Sequence, residues 1–210
     1  MEYLVAAELS RRGRIATTFT NNMGKQTKYL ERELLILAWN STVQHAALYK
    51  NRAWQNHRDQ IDTFRKKVIE HIRNHIILQY KGTVEEHRHC ENIRGLISHA
   101  NKVDTGGLRK EGYKYGVAQK VLNLALKYCW CLGLIEEPPD CPLDKIVIDK
   151  TAFRGKVNWT QMLTEREYLN IISAIRSLAA KENRSTAQWE FPFSLSSVSK
   201  EALKDNQARS

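Results

Sequence analysis

The chain has few of the residues that interrupt regular structure: four prolines and ten glycines in 210 positions. That scarcity excludes a collagen-like or low-complexity polymer and argues against long linkers. Cysteine is sparse too, at four residues. A chain of this length can bury enough apolar surface to fold without disulfides or a structural metal. No run approaches the roughly 18 apolar residues that a bilayer-spanning helix needs, so no membrane partner is expected. The stretch MEYLVAAELSRRGR carries its charges after a short apolar run and has no A-x-A site, so it does not read as a secretory signal. With reduced thiols, these absences predict a cytoplasmic protein. Catalytic signatures are missing as well: no G-x-S-x-G, no P-loop, no dinucleotide-binding glycine pattern and no carboxylate cluster of metal-nuclease type. No cofactor is expected, and the balance tilts against an enzyme.

What the chain does have is positive charge. Lysine and arginine number 33 against 23 acidic residues, a formal charge of +10. The excess is uneven. Lys50 to His75 holds Lys50, Arg52, Arg58, Arg65, Lys66, Lys67 and Arg73 against Asp59, Asp62 and Glu70. Lys102 to Lys127 holds Lys102, Arg109, Lys110, Lys114, Lys120 and Lys127 against Asp104 and Glu111. The segment from Glu136 to Asp149 leans acidic. Such asymmetry predicts a basic face, and a basic face attracts polyanions, nucleic acid among them.

The hydrophobic spacing predicts a mainly α protein of five or six helices, with a helix–strand appendage over 1–22, a helical domain over 23–182 and a tail over 183–210. RIATTF (14–19) alternates like a strand. A helix is expected over 28–58, interrupted near Asn40-Ser41. Residues 61–80 form an amphipathic helix with the stripe Ile61, Phe64, Val68, Ile72, Ile76. Two capping boxes are expected, Thr83 with Glu86 and Thr164 with Glu167. KIVI (145–148) reads as a short strand. In the tail, WEFPF (189–193) is expected to pack, because three aromatics in five residues are costly to leave in water.

CWCLGLIEEPPDC (129–141) holds three of the four cysteines. On a helix, residues two apart point about 200° from each other, so Cys129 and Cys131 cannot share an ion, and a C-x-x-C knuckle is absent. Free cysteines behave as small hydrophobes, and these read as core. His71 and His75 stand at i, i+4, the spacing of paired helical zinc ligands, but Ile72 occupies the place of the glutamate in H-E-x-x-H. They read as a hydrogen-bonded core pair, and no metal site is expected.

The clearest signal lies over 117–132. Val117, Val121, Leu124, Ala125, Tyr128 and Leu132 form one apolar stripe; Leu122, Leu126 and Trp130 form a second. Only Lys120, Asn123 and Lys127 make a polar seam between them. A helix apolar around most of its circumference belongs in the middle of a domain. Alternatively, Leu122, Leu126 and Trp130 mark a homodimer or partner interface. The seam and the preceding loop also carry a functional expectation. The backbone N–H groups from Tyr115 to Ala118 open a helix and would hold a phosphate. Arg109, Lys110, Lys114, Lys120 and Lys127 would add charge, with Asn123 between the last two. Tyr113 and Tyr115 would stack on bases.

EYLVAAELSRRGRIATTFTNN resembles the opening of a restriction-endonuclease-like, PD-(D/E)XK domain. Glu2 matches the glutamate of the first helix in that family, and Arg11-Arg12-Gly13 matches the turn before its first strand. The likeness covers about a tenth of the chain. It implies a truncated or degenerate relative of such nucleases, because the aspartate and the E/D-x-K that should follow are absent and no catalytic residue carries over. YKYGVAQK resembles a helix-hairpin-helix backbone-binding motif at Gly116 alone. The leading expectation is a non-catalytic all-α nucleic-acid-binding protein. The alternatives are an interaction or homodimerisation module and a degenerate nuclease-like protein.

Overall fold

The apolar circumference of the 117–132 segment dictates the architecture, since such a helix must be covered from several sides. In the computed structural model, which describes residues 24–50 and 57–193, it is the central element. The helices are α1 (Lys25–Val43), α2 (Arg58–His71), α3 (Glu86–Val103), α4 (Tyr115–Cys131), α5 (Lys145–Ile148) and α6 (Glu165–Lys181). Residues 186–193 are helical as well. A π turn, Ile72–Ile76, and a 3-10 turn, Ile77–Lys81, prolong α2. A 3-10 turn, Trp159–Gln161, precedes α6. α4 is packed by α1, α3, α6 and the Trp159–Gln161 turn. Val117, Val121, Leu122, Ala125, Leu126 and Cys129 are all buried, and full burial of a Val or Leu side chain contributes roughly 1.5–3 kcal/mol.

The mainly helical expectation holds: among the described residues the only β pairing is an isolated antiparallel bridge, Tyr49 with Leu108. The predicted 1–22 appendage, with its strand at 14–19, lies outside the described residues. KIVI is a correction. It is not a strand but the short helix α5, because the Asp144 carboxylate accepts from the Val147 N–H at 3.1 Å and caps the turn. Local capping there outweighs the β preference of Ile and Val.

The two predicted capping boxes part ways. Thr164 and Glu167 form one in full: Thr164 Oγ1 accepts from the Glu167 N–H, and the Glu167 carboxylate accepts from the Thr164 N–H at 2.9 Å. The hydrogen bonds from Thr164 hold the Glu167 carboxyl below its ordinary range. Thr83 caps nothing. α3 starts at Glu86 behind Glu85, and the Glu86 carboxylate pairs with Arg176 of α6 instead. A long-range ion pair has taken the side chain that the box required.

Cys90, Cys129 and Cys141 are core, as expected, with burial pushing the Cys90 thiol up to about 11 and the Cys129 thiol to about 12. Cys131 is a correction: it is exposed, at the last turn of α4 where the core ends. The expected core pair of histidines is also corrected. His75 is exposed, and the π turn separates it from the stripe that Ile72 and Ile76 continue inward. His71 is half-buried and stacks on His99 of α3. WEFPF packs: Trp189 is buried, Phe191 meets the edge of Trp130 at 6.2 Å, and Phe193 meets Trp189 at 4.9 Å.

Between α3, α6 and the 138–142 turn lies a buried polar hub. His89 Nδ1 is 2.7 Å from the Tyr80 hydroxyl, and His89 Nε2 is 3.3 Å from that of Tyr168. Tyr168 donates its single proton to Asp140 at 2.9 Å, and Arg176 donates to the other oxygen of Asp140. With the Tyr168 proton committed, Nε2–H of His89 must donate to the Tyr168 oxygen, and Nδ1 accepts from Tyr80. Burial holds His89 below its usual range and outweighs the pull of Asp140 toward the charged form. The neutral ring is thus the state the hub is built around.

Candidate functional site

Most of the residues with a predicted ligand role are committed to the interior. Lys120, Asn123 and Lys127 do line up along α4, but the seam they make faces inward. Lys120 Nζ stands 3.7 Å from Asp144 Oδ2 and 4.4 Å from the centre of the Trp159 ring. Lys127 Nζ lies 2.5 Å from Glu190 Oε2 and 5.3 Å from the Phe191 ring centre. Asn123 Nδ2 donates to the Cys141 carbonyl at 3.1 Å and to the Tyr168 hydroxyl at 3.2 Å, which ties α4 to the hub.

The aromatic residues of the loop point the same way. Tyr113 is fully buried, parallel to Trp39 at 6.2 Å with Phe64 at its edge. Tyr115 is buried against Tyr168, its hydroxyl 3.5 Å from Glu165. Neither ring presents a face to a base. At the start of α4 the Gly116 N–H donates to the Met162 carbonyl, and the N–H groups of Val117 and Ala118 donate to the Lys114 carbonyl. These N–H groups serve the fold and do not point at a phosphate. The likeness of Gly116 to a backbone-binding motif has a packing cause. A Cβ there would sit 1.8 Å from the Trp159 carbonyl oxygen, so only glycine admits the approach.

The second apolar stripe is also an inner face. Leu122 and Leu126 are fully buried, and Trp130 is covered in part by Phe191, so these three residues do not form an exposed interface.

Three of the predicted residues remain outward. Arg109 is exposed, its guanidinium donating to the Tyr49 carbonyl at 2.9 Å. The Lys110 side chain is 92% exposed, with only Glu111 near it at 4.0 Å. Lys114 is half-exposed at the N-cap of α4.

Beside this loop the fold builds a feature the sequence did not announce: an open cleft of about 670 Å³. Its lining includes His45, Lys120, Asp144, Lys145, Lys156 and Trp159. The contact of Gly116 with Trp159 joins it to the start of α4, and Lys120 projects into it one turn further along. Burial lowers the Lys120 pKa, and Asp144 opposes that shift. Lys145 is paired with Asp149 at 2.5 Å. Among the described residues, Arg109, Lys114 and Lys156 have no carboxylate within salt-bridge reach. Asp144 and Asp149, two of the acidic residues of the 136–149 segment, line the cleft and pair with Lys120 and Lys145. The volume falls in the range of small-molecule and nucleotide-sized pockets. Lys145, Lys156 and Trp159 were missed because nothing in their spacing connects them to α4.

The chain matches no known protein family, no characterised protein and no solved structure.

Proposed function

We propose that the protein binds nucleic acid without catalysis, through phosphate contacts along a strip that runs from Arg109, Lys110 and Lys114 to the cleft side chain Lys156. The observation that carries this reading is the division of the cations. Among the described residues the seam lysines each have a carboxylate and an aromatic ring beside them, whereas Arg109, Lys114 and Lys156 have neither and Lys110 projects almost wholly into solvent. Free cations on a chain of charge +10 gain most from a polyanion that releases its condensed counterions. The reading is sequence-independent: with Tyr113 and Tyr115 inside, the strip has charge but no stacking platform from the loop.

Fluorescence anisotropy with labelled duplex and single-stranded oligonucleotides, over a series of salt concentrations, tests it. Each phosphate contact should contribute about −0.9 to the slope of log affinity against log salt on duplex. The combined change Arg109→Ala, Lys110→Ala and Lys114→Ala should flatten that slope by about 2 to 3. Absence of binding at low salt removes the proposal, and an unchanged slope in the triple variant removes the strip.

A further inference from the structure

A lysine ammonium carries three N–H donors, and burial leaves them in need of acceptors. The Lys120 side chain is nine-tenths buried, at 9% exposure. Its nearest carboxylate oxygen, Asp144 Oδ2, stands at 3.7 Å, beyond hydrogen-bond reach. The other Asp144 oxygen accepts from the Val147 N–H. The Trp159 ring, 4.4 Å away, attracts the charge but offers no oxygen to accept an N–H. Lys127, by contrast, donates to Glu190 at 2.5 Å. Among the described residues no oxygen accepts a hydrogen bond from Lys120, and its side chain lines the open cleft.

The rest of the lining says what an acceptor there would look like. Lys120, Lys145 and Lys156 face Asp144 and Asp149, and Lys145 is already paired with Asp149. Lys156 is exposed, with no carboxylate within salt-bridge reach among the described residues. The surplus charge favours an anion. Among the described residues no arginine lines the cleft, so the planar fork that grips a carboxylate is missing. The cations are lysine point charges, which suit phosphate. Ile146, Val157 and Trp159 supply an apolar wall. A volume of about 670 Å³ is far more than inorganic phosphate fills and admits a molecule of mononucleotide size.

We propose that the cleft binds a phosphomonoester of nucleotide size, its phosphate accepting from Lys120 and Lys156 and its body lying on Ile146, Val157 and Trp159. The site goes beyond the surface strip, with which it shares only Lys156: it takes a terminal phosphate inside a cleft, where the strip takes the diesters of a backbone.

The test is calorimetric titration of the full chain with adenosine monophosphate, adenosine and inorganic phosphate. The monophosphate should saturate at one molecule per chain and bind about tenfold or more tighter than either fragment. Lys120→Met and Lys156→Ala should each weaken it about tenfold or more. The triple change at Arg109, Lys110 and Lys114 should leave it unaltered, so that failure of the strip and failure of the cleft are read separately. In the parent protein the monophosphate should protect Lys156, and not Lys110, from acylation by a succinimidyl ester, a readout that does not depend on how any variant folds. Competition by a 5′-phosphorylated trinucleotide and not by its 5′-hydroxyl form upholds the site and assigns its phosphate to a strand end; competition by neither upholds it for a free nucleotide. Equal competition by both, absence of saturable binding, equal affinity for adenosine, or parental affinity in Lys120→Met would each overturn the assignment.

Discussion

Lys120 and Lys127 stand two turns apart on one face of α4, each with 7% of its surface exposed. Among the described residues each has a carboxylate and an aromatic ring beside it, yet the two ends of the helix have acquired different chemistry. Around Lys127 the ion pair is short, at 2.5 Å, and Glu190 is as buried as the lysine. Around Lys120 the pair is looser, at 3.7 Å, Asp144 is partly exposed, and a cleft opens beside them. One end was closed by the helical 186–193 segment; the other was left open by the 3-10 turn at Trp159 and the short helix α5. A repeated spacing on one helix therefore does not repeat an environment, because the environment comes from what the rest of the chain lays over it.

The closed end should be the more fragile to an unbalanced change. Lys127→Met leaves Glu190 buried beside an apolar side chain and should cost about 3–5 kcal/mol in urea denaturation. Adding Glu190→Leu should restore most of that loss; failure to do so would mean that the pair is not the main contribution of this end.

At the open end, Gly116→Ala sets a methyl group against the Trp159 carbonyl. It should cost about 1–3 kcal/mol by overpacking and shift the indole that lines the cleft. A variant of unchanged thermal midpoint would show that the turn yields freely.

Between the two lysines, Asn123 ties α4 to Tyr168 and so to the His89 hub. The folded-state pKa of His89 is depressed, so near pH 6.5 the unfolded chain takes up a proton that the folded one refuses. This contribution is fully present above about pH 6.5 and is lost as pH falls below it, at up to about 1.4 kcal/mol per pH unit. Comparing urea midpoints at pH 7.5 and 5.5 for the parent and His89→Gln checks it; parallel pH profiles would exclude His89 as the source. The smallest effect belongs to the open-end lysine. Lys120→Met removes a looser pair whose Asp144 side is open to solvent and should cost about 1 kcal/mol. A loss as large as that of Lys127→Met would erase the distinction between the two ends.

Local and periodic signals were legible in the chain. The double apolar stripe over 117–132 read as a central helix, with a partner-covered face as the alternative, and α4 is buried on both stripes within the domain. Thr164 with Glu167 carries its capping partners within four residues, so nothing distant was needed to form the box. WEFPF was too apolar to stay in water. Signals that depend on a partner from elsewhere were not legible. Glu86 had the spacing of a capping residue, yet Arg176, ninety positions further along the chain, claims its carboxylate. Tyr113 reads as a loop residue until Trp39 and Phe64 enclose it.

The sequence by itself determined that the chain is helical, that 117–132 lies at its centre and that positive charge exceeds negative, since these follow from side-chain period and composition. Only the tertiary structure decided which cations stay free. Burying a lysine requires a paired, hydrogen-bonding partner such as a carboxylate placed within a few ångströms, and such placement depends on residues far apart in the chain meeting in space. Periodicity along one helix carries no information about that meeting.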